Sequence, residues 1–178
     1  EDEGIVCDEK EYQVQAARTD HVIPSLAYAL VEKPRPGRFD AEKARVLGVP
    51  EGPLWSRLQH GGNVRVSSGK VVKPSQVVGS SRPGRKIAYS GDTRPTDRLV
   101  NLAKDADLLV HEATLSDELL ERAQKDGHST PSEAADTAKK ARVKRLILTH
   151  VSSRYKSTDA LLLQAKKIFP NAEVAKDF

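Results

Sequence analysis

An α/β fold, with helices laid over a sheet, follows from three features of the 178-residue chain. From Lys86 onward, short apolar runs of strand character alternate in order with helix-length segments. One of those segments has an explicit start signal, because Thr130-Pro131-Ser132-Glu133 joins a capping box to a proline at the first helical position. Between two patterned regions, residues 33–80 lose all periodicity, and this stretch reads as an arm projecting from an α/β body made of 1–32 and 81–178.

Taken in order, Gly4-Ile5-Val6-Cys7 and Tyr12-Gln13-Val14-Gln15-Ala16 have strand patterns, and the apolar run Ile23 to Val31 reads as a buried strand with Pro24 at its start. Lys33-Pro34-Arg35-Pro36-Gly37-Arg38 then ends regular structure. Within the arm, Asp40 caps a short helix that Gly48 closes, and a second helix follows Gly52-Pro53. Two weak strands flank Ser67-Ser68-Gly69. The arm has many turn residues and, on this reading, too few apolar ones for a core of its own.

In the body, Ile87-Ala88-Tyr89, Leu108-Leu109-Val110 and Leu146-Ile147-Leu148 are strands, with a possible edge strand at Ala172 to Ala175. Helices are expected over 96–104, 117–125, 131–141 and 158–169. Ala134, Ala135, Ala138 and Ala141 fall at helical spacing and give the third of these a small-residue face for close packing.

Composition narrows the function. No apolar run is long enough for a transmembrane helix, so no membrane partner is expected. The single cysteine, Cys7, excludes an intrachain disulfide framework and cysteine-based zinc sites. With Glu1-Asp2-Glu3 at the start, the cytoplasm is the expected compartment. The absence of methionine, with glutamate as first residue, suggests a piece of a longer chain. Charge is uneven: Lys33 to Lys86 holds 12 Lys+Arg against 3 Asp+Glu, whereas the whole chain is only +4. Such a segment is either a polyanion contact or a solvated basic loop.

Five histidines are present, and their placement carries the chemistry. Asp92, His111-Glu112 and His150 each follow a strand of the α/β region, and His21 follows a strand of the first half. Open α/β sheets bind ligands beyond the carboxyl ends of their strands. Singly, such residues are ordinary rim or turn residues; in register, imidazoles and a carboxylate form a donor set that zinc favours. His128 precedes the capped helix, where an anion is favoured, and is suited to protonate a leaving group. Ser152, Ser153 and Arg154 add groups that suit phosphate oxygens.

Ser90-Gly91-Asp92-Thr93, Leu109-Val110-His111-Glu112-Ala113-Thr114, Gly127-His128-Ser129-Thr130 and Leu148-Thr149-His150-Val151-Ser152-Ser153-Arg154-Tyr155 resemble the C-terminal half of the ribonuclease Z family, tRNA 3′-processing endonucleases of the metallo-β-lactamase superfamily. Leu47-Gly48-Val49-Pro50-Glu51-Gly52-Pro53-Leu54-Trp55 is similar to that family's protruding arm. The resemblance implies an αβ/βα sandwich with two zinc ions, and a hydroxide generated between them that attacks the phosphodiester. It implies that His21, Asp92 and His150 are metal ligands, that Asp92 bridges the ions, and that His128 serves the leaving group with support from Glu112. Lys33, Arg35, Arg38, Lys43, Arg45 and Arg57 of the arm would grip precursor tRNA, and a homodimer is implied. The family's first metal motif, His-x-His-x-Asp-His, is absent from these residues. The expectation is therefore that this polypeptide alone is inactive and poor in metal. Where the family commonly has glycine in one helix-to-strand turn, this chain has Arg142, which should affect only local strain. Two other readings remain open: a phosphodiesterase for small esters on the same fold, and a non-catalytic RNA-binding or dimerisation half-module.

Overall fold

The computed structural model describes residues 3–176. It divides into a larger unit, formed by residues before Lys33 and after Gly84, and a smaller one, Lys33–Gly84. Strands β1 (Gly4–Asp8), β2 (Tyr12–Arg18) and β3 (Leu26–Glu32) form an antiparallel meander. The chain then makes the smaller unit, with α1 (Ala41–Val46), α2 (Pro53–Gln59) and the hairpin β4 (Val64–Arg65) and β5 (Val71–Val72). It returns as β6 (Lys86–Tyr89), α3 (Asp97–Ala103), β7 (Leu108–Glu112), α4 (Leu120–Asp126), α5 (Pro131–Lys140), β8 (Leu146–Thr149), α6 (Asp159–Ile168) and β9 (Ala172–Val174).

The larger unit is built on one seven-stranded sheet in the order β1-β2-β3-β6-β7-β8-β9. Strands β6 to β9 are mutually parallel, and β3 is antiparallel to both β2 and β6. It follows that β2 runs in the same sense as β6. The carboxyl ends of β2, β6, β7 and β8 therefore share one sheet edge, and this fixes where the site forms.

One face of the sheet is buried under helices. Ala27, Ala29, Ala88, Leu109, Leu146 and Leu148 pack with Leu99, Leu102 and Ala103 of α3 and with Ala134, Ala135 and Ala138 of α5. The small-residue face of α5 puts it in contact with α3, α6, β7 and β8 together. Its start matches the sequence signal: the Thr130 hydroxyl accepts from the Glu133 amide, and the Glu133 carboxylate accepts from the Thr130 amide at 2.9 Å. The opposite face is apolar but open. Tyr28 pairs with Tyr89 and Leu30 with Ile87 across β3 and β6, and these four side chains are 39–46% exposed. The described residues thus form one helix layer and one sheet layer of the expected sandwich.

Two expectations are corrected. The strand read from Ile23 begins only at Leu26, and Val22 and Ile23 are exposed loop residues. Their apolarity follows from the loop, which must turn at Pro24 and so cannot extend the ladder. The smaller unit also has a core after all, formed by Ala44, Val49, Leu58, Val64, Val66, Val72 and Val77, with Trp55 and Phe39 packed against it. The Trp55 indole N–H donates to the Val49 carbonyl at 3.1 Å. The unit extends to Gly84 because Arg82 returns to pair with Arg35. At its stem the backbone approach leaves no room for a side chain, since a Cβ on Gly37 would lie 2.0 Å from the Gly79 carbonyl oxygen.

Candidate active site

Asp92, Glu112 and His150 are delivered by the carboxyl ends of β6, β7 and β8, whereas His21 comes from the β2–β3 loop and His128 from the turn after α4. After β6, Gly91 takes a left-handed turn at φ +59, where a Cβ would sit 2.5 Å from the Leu26 carbonyl. Only glycine fits there, and the turn sets Asp92 at the edge. Asp92's carbonyl accepts from the Thr19 hydroxyl at 3.0 Å, which ties the β2–β3 loop to the same place. At the end of β7, Glu112 is 1% exposed, yet its carboxylate is saturated with donors. Oε1 accepts from the Thr93 amide at 3.0 Å and lies 2.9 Å from His128 Nδ1. Oε2 accepts from the Thr114 amide at 3.2 Å and the Thr114 hydroxyl at 2.8 Å. Burial of a carboxylate is tolerable only with such partners.

His128 enters from the turn closing α4, where Gly127 is left-handed and a Cβ would lie 2.6 Å from His21 Nδ1. The Gly127 carbonyl accepts from that Nδ1 at 2.8 Å, so His21 carries its proton there and keeps Nε2 free. The His21 and His128 rings stand 4.9 Å apart between centroids, and His128 and His150 5.4 Å. His150, just past β8, is itself left-handed at φ +55, an uncommon conformation for a side-chain-bearing residue. Its Nδ1 lies 2.8 Å from the Thr114 hydroxyl and 3.5 Å from Asp92 Oδ1.

The edge therefore gathers all five residues expected there: His21, Asp92, Glu112, His128 and His150. One donor atom each from Asp92, His128 and His150 lie within 4.8 Å of one another, which makes these three a group able to hold a metal ion. This group contains His128 where the resemblance implied His21, which stands beside it with Nε2 uncommitted. Imidazole nitrogens with a carboxylate oxygen suit zinc, and the outward hydrogen bond of His21 is the kind that orients a metal-binding histidine. The residues fit a divalent cation.

Other groups fall into place around this set. Ser152, Ser153 and Arg154 follow His150 on the same loop, where the Ser152 amide donates to the Thr114 carbonyl at 3.1 Å and Arg154 Nε donates to the Ser152 hydroxyl at 3.1 Å. His111 alternates to the helix side, fully buried, and donates Nδ1–H to the Glu112 carbonyl at 2.7 Å. Burial pushes its pKa below the ordinary histidine value, so it stays neutral. Thr114 is a further side chain at this edge, in contact with Glu112, His128 and His150, to which sequence reasoning gave no role. Its signal was its place two residues after Glu112, on the same side of the chain as it leaves the strand.

Arg35, Arg38, Lys43, Arg45 and Arg57 of the smaller unit are exposed, and Lys33 is half-buried. Arg45 is partly committed, lying 3.4 Å from Glu51 and over the Trp55 ring.

Residues 51–151 match the beta-lactamase superfamily domain. Among curated relatives, the chain is 51% identical over 175 residues to ribonuclease Z of Methanosarcina acetivorans, which covers 98% of this chain and 57% of the relative. It is 51% identical over 177 residues to ribonuclease Z of Myxococcus xanthus, covering 98% and 58%. The chain thus spans little more than half the length of these relatives. Among solved structures, human tRNase Z, short form, aligns at TM-score 0.59 and 31% identity over 98% of this chain and 44% of that one. A long form RNase Z from yeast aligns at TM-score 0.54 and 25% identity over 93% and 16%.

Proposed function

Because the chain belongs to the beta-lactamase superfamily, we propose that it is part of a zinc-dependent endoribonuclease that removes the 3′ trailer from tRNA precursors. The observation that carries this reading is the meeting of two chemistries at one sheet edge. A metal-type donor group of Asp92, His128 and His150 opens onto the same space as an imidazole–carboxylate pair, His128 with Glu112. The relatives' names, ribonuclease Z and tRNase Z, support a tRNA phosphodiester as the bond cut.

In this reading Asp92 and His150, joined by His21 through its free Nε2, hold the zinc. The chemistry that bound zinc supplies is Lewis-acid activation of water and of phosphoryl oxygens. His128 keeps Nδ1–H on Glu112 Oε1, which orients the ring. From Nε2 it gives a proton to the departing 3′-oxygen. Ser152, Ser153 and Arg154 bind the phosphate next to the cut. Lys33, Arg35, Arg38, Lys43, Arg45 and Arg57 hold the tRNA backbone, positioning a folded RNA by shape rather than by base sequence. The assembled enzyme works as a cytoplasmic homodimer. Since His-x-His-x-Asp-His is absent from the 178 residues, this polypeptide by itself is poor in metal and inactive.

The test is cleavage of a 3′-extended tRNA with zinc present. The chain is assayed alone and with a separately made polypeptide bearing the His-x-His-x-Asp-His portion of the Methanosarcina relative. Cleavage that needs both pieces supports the reading; full activity from this chain alone overturns the fragment part of it. Hydrolysis of a small phosphodiester with no tRNA cleavage would favour the small-ester alternative. RNA affinity should also fall steeply with salt, with a log–log slope that shrinks by about 1 for each arm cation removed. A flat salt profile would remove the arm from the proposal.

A further inference from the structure

We infer that Thr114 is a positioning residue: its single hydroxyl sets the tautomer of His150 and the orientation of Glu112 at once. The inference rests on the proposed reading only in treating His150 as a ligand. The geometry is a proton-counting problem around one oxygen. Thr114 Oγ1 lies 2.8 Å from Glu112 Oε2, 2.8 Å from His150 Nδ1 and 3.4 Å from His128 Nδ1. A hydroxyl has one proton to give and two lone pairs with which to accept.

The proton goes to Glu112. That carboxylate already takes a main-chain N–H on each oxygen, from Thr93 and Thr114, so it is arranged as an acceptor. With its proton on Oε2, the Thr114 oxygen faces His150 with lone pairs only. His150 must then present Nδ1–H to it at 2.8 Å, nearer than the Asp92 carboxylate oxygen at 3.5 Å, and this leaves Nε2 unprotonated and available to a metal. The same hydroxyl lies at the outer limit of contact with His128, whose Nδ1–H is claimed by Oε1 of the same carboxylate at 2.9 Å. One buried carboxylate therefore orders both imidazoles, His128 directly and His150 through Thr114. A second anchor holds Thr114 in place: its amide also donates to the Ser129 carbonyl at 3.1 Å, and its carbonyl accepts the Ser152 amide at 3.1 Å. The residue is pinned from three loops before any ligand arrives.

The test uses the full 178-residue chain without metal, labelled with ¹⁵N in its histidine rings, at a pH where the rings are neutral. His150 should show the Nδ1–H tautomer. Thr114→Val removes the hydroxyl at nearly constant shape and should shift His150 to a tautomer mixture; Thr114→Ser should restore the wild-type pattern. Thr114→Ala serves in place of valine if the latter perturbs the amide spectrum. In a competition assay against a chromogenic chelator, zinc affinity should fall about 10–100-fold in the valine or alanine variant and return with serine. An unchanged His150 tautomer without the hydroxyl, or a serine variant that behaves like valine, overturns the inference. Neither measurement involves RNA or catalysis, so this result and the outcome of the cleavage assay can fail independently.

Discussion

The two edges of the parallel part of the sheet use charge in opposite ways. At the amino ends of the strands, opposite charges meet on the surface and are neutralised in pairs. Arg142 forks onto both oxygens of Asp105 at 2.9 and 2.8 Å, Lys144 reaches Asp107 at 2.6 Å, and Arg145 reaches Glu173 at 3.0 Å. At the carboxyl ends, three imidazoles and two carboxylates crowd together, while Arg94 is paired outward to Asp20 at 2.6 Å and Arg154 is turned to the Ser152 hydroxyl at 3.1 Å. At the first edge these charges are matched in exposed pairs. The second leaves donor atoms converging on one point, which is costly in folding terms and useful only if a ligand completes it. The difference teaches where to look in such a sheet: a ligand site is expected at the edge whose imidazoles and carboxylates converge on one another rather than on opposite surface charges.

The sharpest way to break that contrast is to remove one group from each edge. In the assembled nuclease, His128→Ala should lower the cleavage rate by about 10²–10⁴-fold, the usual contribution of a positioned acid, with the melting temperature maintained. Lys144→Ala should leave cleavage unchanged. Rate and melting curves on the two variants check this, and equal losses at both edges would erase the distinction. If His128→Ala also releases the metal, the residue is a ligand in addition to an acid.

A second comparison sets two left-handed turns against each other. Gly91 carries Asp92 into the site, and Arg142 opens β8 at the other edge with φ +55. Gly91→Ala must displace the Leu26 carbonyl, so it should cost more than about 1 kcal/mol of stability and carry Asp92 out of register. Arg142→Gly relieves a strained conformation but loses an exposed ion pair, so the net change should be within about 1 kcal/mol of zero. Denaturant midpoints measure both.

These residues also show what the sequence could and could not disclose. Asp92, Glu112 and His150 were legible because each lies within three residues of the end of an apolar run, and parallel strands bring such positions together. The capped start of α5 was legible because its signal is local. Thr114 was not, because a threonine after a strand is commonplace and its role exists only through three loops meeting. The small core around Leu58 was hidden because its valines arrive singly, in two-residue strands that each bury one side chain. Ile23 misled in the other direction, since an apolar residue next to a strand reads as part of it until the turn at Pro24 is considered.

The smallest expected effect is the dependence of stability on acid at the amino edge. Asp107 is held below the usual carboxylate range, chiefly by the hydrogen bond from Lys144 and then by the Lys86 amide at 2.8 Å. Asp105 is lowered in the same direction, first by Arg142. A carboxylate depressed in the folded state adds stability above its unfolded value, near 3.9, and loses it as pH falls through the folded one. Acid should therefore weaken the fold progressively below about pH 4, and Asp107→Asn should flatten that part of the curve by lowering neutral-pH stability slightly, toward the acid value. The pairs are exposed, so salt should shrink the difference further. An acid limb left unchanged by Asp107→Asn would mean that the amino edge is not where charge pairing stabilises this sheet.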